Sequence, residues 1–392
     1  MNKSINYNFD DVIDRRNTQA EKYDALKRFY GTDDIDPFWV ADMDLASPNF
    51  LVEKLIERLK HSIFGYTEKD ASLYESIQWW MNHEHKLEVN SDFIGFSPSV
   101  VSTLCMAIQS FTNQGDSIVL FSPVYGPFFS SVKSHKRNLI DLPLEINNGK
   151  FNIPFKKLEE TLKRDDVKLL LLCNPHNPGG RVWKNDELSK LVELCRSNDV
   201  LIFSDEIHSD IVFEPHNHIP ILSINKAKDI SILAHSIGKT FNTSGFKSSF
   251  YIIENEHLRK KIINSQKLAH VDNINLIGKL AIQTLFSPEG ADYKRQLVSY
   301  LQENTSIVYN KLLVKKNLTP MDSEATFLVW CDFSKFGTWQ EVSKLLINDA
   351  QVALSGGKFF GSSGEGWFRI NCGHPRSKLI IAVDRICNTF KN

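Results

Sequence analysis

No stretch of this chain approaches the roughly twenty consecutive apolar residues that a membrane-spanning helix requires. Charge of one sign is also missing. Lys and Arg number 46 and Asp and Glu 47, a formal net charge of −1, so nothing favours a nucleic acid or an anionic membrane as partner. The six cysteines, Cys105, Cys173, Cys195, Cys331, Cys372 and Cys387, are scattered without a C-x-x-C pair. The first residues, MNKSINYNFDDVIDRRN, are polar rather than an export segment. Reduced thiols and a soluble, cytoplasmic protein are the expectation. Internal repeats and low-complexity tracts are absent too. Apolar residues at 42% and charged residues at 24% suit a large ordered core. At 392 residues the chain exceeds one ordinary domain.

Two familiar site patterns fail on their context. Gly361-Ser362-Ser363-Gly364-Glu365-Gly366 has the wrong order for G-x-G-x-x-G and precedes a strand instead of opening a helix after one. His208, His216 and His218 lie near Asp205 and Asp210, but their spacings match no zinc pattern. No metal is expected.

What the sequence does have is three apolar runs that stop at polar turns. Val167 to Leu172 ends at Cys173-Asn174-Pro175-His176-Asn177-Pro178-Gly179-Gly180. Val200 to Phe203 ends at Ser204-Asp205-Glu206-Ile207-His208, and Ile230 to Ala234 leads to Ser236-Ile237-Gly238-Lys239-Thr240. Such runs, with amphipathic stretches between, read as strands buried on both faces of a parallel sheet. Ligands of those sheets sit beyond the carboxyl ends of the strands. Asn177, Asp205, His208 and Lys239 are therefore expected in one crevice. The first fifty residues read as an irregular arm with a short extended piece near Asp36 to Asp44. From about 94 to 253 strands and helices alternate, and after about 287 the pattern becomes α+β.

The crevice residues are chemically complementary. An aldehyde cofactor needs an amine, here Lys239, whose pKa falls when it loses water. It needs a carboxylate to keep a ring nitrogen protonated (Asp205), donors near a phenolic oxygen (Asn177, His208) and a flat aromatic for stacking (Tyr125). A phosphate cradle is offered by Ser99, Val100 and Val101 where a strand turns into a helix, with Ser236 and Lys247. Pyridoxal phosphate is the cofactor with these demands. Taken singly, each residue has an ordinary explanation, such as a cap, a turn or a core side chain.

The runs SxxKTFNxxG around Lys239, SDEIHxD at 204–210 and NPHNPxGRVW at 174–183 resemble the pyridoxal-phosphate aminotransferase superfamily, class I/II. WVADMD at 39–44, FGYT at 64–67, PVYxPFF at 123–129, Asp14-Arg15-Arg16 and FRIN at 368–371 resemble its C–S lyase branch, the cystathionine β-lyases of the maltose-regulon-modulator type. Departures occur near the phosphate: Ser99 stands where the branch usually has glycine, and Lys247 where arginine or glutamine is usual.

The resemblance implies an α/β type I fold: an arm over 1–47, a large cofactor-binding domain over 48–286 and a smaller α+β domain over 287–392. It implies that Lys239 forms the Schiff base and shuttles the α-proton. Asp205 would pair with the ring nitrogen, Asn177 and His208 would face the ring oxygen, and Tyr125 would stack. Arg369 would hold the substrate α-carboxylate, with Ala41 and Tyr125 also against the substrate. Tyr66 would reach the phosphate site of a second copy, making a homodimer. The implied reaction is β-elimination from an L-amino acid with sulfur at Cβ, giving a thiol, pyruvate and ammonia. An aminotransferase shares the same residues and is the alternative. A non-catalytic regulator of the same fold is a third reading, disfavoured because no catalytic position is lost.

Overall fold

The structure is a computed structural model and describes residues 5–391. Residues 1–4 and 392, at the outer ends of the expected arm and C-terminal unit, lie outside the described residues. A seven-stranded sheet forms the centre, and its spatial order runs 94–97, 249–252, 231–235, 201–205, 167–173, 117–120, 138–141. Only Ser249–Ile252 runs against its neighbours; the pairings among 231–235, 201–205, 167–173, 117–120 and 138–141 are all parallel. The α/β fold with a mostly parallel sheet is thus present.

The strand Val167–Cys173 shows why continuous apolar runs mark this sheet. Leu170 and Leu172 join one core, whereas Leu169, Leu171 and Cys173 join another on the opposite face. Successive side chains point to opposite sides of a strand, so both faces demand cover. On one side the helix Val100–Phe111 packs Leu104, Ala107 and Ile108, and Glu256–Ala269 packs Leu258 and Ile262. On the other, Asn185–Ser197 contributes Leu188, Leu191 and Val192. Full burial of each leucine is worth roughly 1.5–3 kcal/mol.

A second, five-stranded sheet is ordered 36–38, 352–356, 367–371, 328–332, 319–320. Its first member comes from the N-terminal part: Asp36–Phe38 pairs in parallel with Val352–Leu354. The first fifty residues are less irregular than their sequence implies. They hold the short helices Glu21–Asp24 and Leu26–Tyr30, the latter closed by Gly31 in the left-handed conformation at φ 81°. A hairpin of Glu145–Asn147 and Lys150–Asn152 precedes the helix Phe155–Leu162. The long helix Pro288–Leu313 opens on its proline, with the Ser287 side chain accepting from Gly290 N. No helix among the described residues is long and apolar enough to cross a membrane.

Candidate active site

Three neighbouring strands end level with one another. Cys173 is opposite Asp205, and Asp205 opposite Ala234. The turns beyond them open into a cavity of about 640 Å³. Ala41, Ser99, Val100, Val101, Tyr125, Asn177, Asp205, His208, Ser236, Lys239, Lys247 and Arg369 all line it. Tyr66 does not. It stands fully exposed in the irregular segment before the helix Ala71–His85, beside a separate hollow with Arg58 and Lys279.

Lys239 Nζ donates to the carbonyl oxygen of Ala41 at 2.6 Å. Burial lowers its pKa to about 8, helped by the positive charge of Arg369 and opposed by Asp42 and Asp205. Asp205 accepts from Ile207 N at 3.1 Å, and burial pushes its carboxyl up to about 6. Burial also lowers Arg369, to about 10. Its Nη1 donates to Asn177 Oδ1 at 3.0 Å, and its Nη2 to Trp39 O at 2.8 Å and Ser355 Oγ at 3.3 Å. With Oδ1 held by Arg369, Asn177 can present its amide N–H groups to the cavity. His208 is held neutral by burial and by the charges of Lys239 and Arg369, and its Nδ1 is buried without a partner.

Among the described residues, Lys239, Asp205 and Arg369 make no ion pair. Buried charges are ordinarily paired. Two cations and one acid facing a common cavity unpaired, beside an orphaned imidazole nitrogen, call for a ligand carrying both signs of charge. Pyridoxal phosphate with an amino acid satisfies that donor and acceptor set.

At the other end of the site the helix Val100–Phe111 begins, capped by Ser99 Oγ accepting from Ser102 N at 3.1 Å. Its first N–H groups and the positive end of its dipole suit an anion. Ser236 is more constrained than its sequence position suggests: its hydroxyl donates to Ser248 O at 2.7 Å and accepts from Gly238 N at 3.0 Å. Ser244 and Ser248, not singled out from the sequence, also line the cavity.

The segment 39–42 was legible as a motif but not as a set of carbonyls. Its alternate oxygens meet different donors. Trp39 O and Ala41 O accept from Arg369 and Lys239, whereas Val40 O and Asp42 O share Asn371 Nδ2 at 2.6 and 2.7 Å. Arg15 then fastens the segment from outside, with Nη2 2.8 Å from Asp42 Oδ2 and Nη1 2.7 Å from Asp44 Oδ1.

Beneath the lysine turn lies a buried cluster that the sequence does not reveal. Asp210 Oδ1 accepts from Trp80 Nε1 at 3.0 Å and meets His85 Nε2 at 2.7 Å; its Oδ2 accepts from Thr240 Oγ1 at 2.6 Å and lies 3.4 Å from His235 Nε2. Burial alone would raise the Asp210 carboxyl, but His235 and His85 hold it well below the usual range. Two ligands on one zinc ion at about 2.0–2.2 Å sit more than 3 Å apart, so the 2.7 Å contact is a direct hydrogen bond. The histidines weighed in the sequence go elsewhere: His218 Nε2 lies 2.8 Å from Glu206 and His216 Nε2 4.0 Å from Glu324.

Comparison with known proteins places the chain in a family. Residues 40–386 match the model of the family described as aminotransferase class I and II. The chain is 37% identical over 382 residues to cystathionine beta-lyase PatB of Bacillus subtilis, covering 97% of this chain and 98% of that protein. It is 30% identical to protein MalY of Escherichia coli, covering 98% and 99%. Among solved structures, cystalysin of Treponema denticola, which contains pyridoxal 5'-phosphate, superposes with a TM-score of 0.94 at 30% identity, over 98% of this chain and 99% of that one. The chain belongs to the aminotransferase class I and II family.

Proposed function

We infer that the protein is a pyridoxal-phosphate-dependent carbon–sulfur β-lyase. It acts on an L-amino acid with sulfur at Cβ and releases a thiol, pyruvate and ammonia. The observation that carries the reading is the unpaired trio of Lys239, Asp205 and Arg369 around one cavity, in a chain similar throughout its length to a cystathionine β-lyase and to cystalysin.

When bound, the cofactor supplies an aldehyde for amines and a protonated ring that accepts the electron pair left at Cα. The chain's own groups do the rest. Burial, which lowers Lys239 to about 8, makes its Nζ easier to deprotonate near neutral pH, so it would hold the cofactor's aldehyde and, once displaced by the substrate amine, would take the proton from Cα. Asp205 would hold a negative charge for the ring nitrogen, and the Asn177 amide and His208 would serve the ring oxygen. Tyr125 supplies the flat face. Arg369, steadied by Asn177, Trp39 O and Ser355, grips the α-carboxylate with its two-pronged guanidinium, and Ala41 borders the substrate. Ser99, Val100 and Val101 present helix N–H groups to the phosphate, Lys247 adds a point charge, and Ser236 orders the turn between them.

The reading extends to a cytoplasmic homodimer whose chain divides near residues 47 and 286. Val52, Ile56 and Leu59 on the helix Asn49–Leu59, with Ile63, Phe64 and the outstretched Tyr66, form an exposed apolar row. A second copy would cover that row and receive Tyr66 at its phosphate site.

The test is an assay of thiol and pyruvate release from S-substituted cysteines without added keto acid. Release supports the lyase. Strict dependence on a keto acid, with no thiol formed, would make the protein an aminotransferase.

A further inference from the structure

Lys239 and Arg369 are delivered by different sheets. Lys239 follows the strand Ser231–His235 of the seven-stranded sheet, and Arg369 lies on Trp367–Asn371 of the five-stranded one. Each travels with an asparagine, Asn242 three residues after the lysine and Asn371 two after the arginine. Neither asparagine lines the cavity. Both reach the same main chain, the segment 39–45.

The Asn242 side chain meets Met43 as a neighbouring strand would. Its Oδ1 accepts from Met43 N at 2.9 Å, and its Nδ2 donates to Met43 O at 2.7 Å and to Leu45 O at 3.1 Å. A primary amide can do this because it carries both a donor and an acceptor. Ser47 Oγ adds a bond to Phe241 O at 2.8 Å. From the other sheet, Asn371 projects on the same strand face as Arg369. Besides Val40 O and Asp42 O, it engages Gly373 N through Oδ1 at 2.7 Å, and Gly373 O accepts from Asp44 N at 2.7 Å. The segment so gripped is the one whose Ala41 O meets Lys239 and whose Trp39 O meets Arg369.

Resting on the roles that the lyase reading gives Lys239 and Arg369, we propose that Asn242 and Asn371 are positioning residues. They clamp the segment 39–45 between the two sheets, and through it hold the proton-transferring amine and the carboxylate-binding fork at one fixed spacing. Freeing either side of the segment therefore disturbs both functional groups. On the lysine side it admits water. Losing the Ala41 bond alone would disfavour the ammonium, but water replaces that bond, and regained solvation favours the charged form. Lys239 then moves back toward its ordinary 10.5. On the arginine side the fork loses its brace at Trp39 O.

The experiment uses two variants of the full chain, Asn242→Gly and Asn371→Ala. Asn242 has φ 56°, a left-handed backbone that glycine adopts readily, so the first variant should fold. In the cofactor-free proteins, acetic anhydride labelling of Lys239 is followed against pH by peptide mass spectrometry. The parent should be half-reactive near pH 8, and both variants about one pH unit or more higher. In the proteins loaded with pyridoxal phosphate, KM for S-benzyl-L-cysteine should rise roughly three- to tenfold in Asn242→Gly, the worth of one hydrogen bond. A residue that only stabilises the fold would move the urea midpoint and leave the labelling curve and KM in place. An unmoved labelling midpoint in Asn242→Gly overturns the proposal. So does a shifted midpoint with an unchanged KM in that variant, or an unmoved midpoint in a folded Asn371→Ala, since either means that the two groups are held separately. A parent that releases no thiol refutes the lyase reading instead, and the labelling curves, which need no turnover, still decide the role of both asparagines.

Discussion

Lys239 Nζ rests 2.6 Å from the carbonyl oxygen of Ala41, a residue 198 positions earlier in the chain. The lysine is therefore held by a neutral backbone acceptor, not by a carboxylate. A nearby counter-ion would favour its protonated form, whereas a carbonyl leaves burial free to lower the pKa. Substituting Lys239→Ala should reduce thiol and pyruvate release by on the order of a thousandfold and abolish the visible absorbance of bound cofactor. An Ala variant that retains both would refute the assignment.

Arg369 presents a planar fork braced by Asn177 and Trp39. Lysine carries the charge but not the fork. Arg369→Lys should lower kcat/KM by roughly 10- to 100-fold, the value of about 1.5–3 kcal/mol for a charged hydrogen bond, while the cofactor's visible band persists. Steady-state kinetics beside a spectrum distinguish this from a folding defect.

Asp205 offers a test by pH. Its folded pKa, about 6, lies above the ordinary 3.8. The folded chain thus keeps a proton that the unfolded chain releases between about pH 4 and 6, and stability falls as pH rises through that window. In the cofactor-free protein, Asp205→Asn should be more stable than the parent at pH 7, by up to about 3 kcal/mol, and no more stable at pH 4. Urea unfolding at the two pH values measures the difference. The same variant should lose lyase activity.

Asp210 ties its own turn to the helix Ala71–His85, through Trp80 and His85, and to the lysine turn, through Thr240. Removing a buried charge and leaving its partners unsatisfied costs about 3–5 kcal/mol, so Asp210→Ala should shift the urea midpoint strongly. Thr240→Val, which removes one donor, should cost about 1 kcal/mol. Equal midpoints for Asp210→Ala and the parent would show that the cluster contributes nothing.

Tyr66→Phe should weaken cofactor affinity about tenfold, the worth of one hydrogen bond to a charged group, as read by spectroscopic titration. Ile56→Glu on the same exposed row should convert dimers to monomers in sedimentation. Unchanged affinity and unchanged mass would deny the cross-subunit role.

The parallel core was legible because Leu169 to Leu172 and Ile202 to Phe203 must be apolar on both faces, which leaves an unbroken run. The convergence of Asn177, Asp205, His208 and Lys239 followed from strand direction alone. The helices at Glu21–Asp24 and Leu26–Tyr30 were not legible, since four or five residues are too few to show a helical period. Nor was the hairpin at 145–152, whose strand Glu145–Asn147 is exposed at all three residues and too short to establish a period. Asp210 sits inside a recognisable motif, but His85 lies 125 residues before it, and no spacing rule links them. Backbone acceptors such as Trp39 O and Ala41 O leave no trace in side-chain chemistry at all.

Those two oxygens carry a corollary for how this enzyme can change. Since the main chain, not the side chains, meets Arg369 and Lys239, exchanging Trp39 or Ala41 for another residue leaves the acceptors where they are. Deleting a single residue from this strip is a different event. It would move each following oxygen one place along against Arg369, Asn371 and Lys239, so this strip should fail on a change of phase.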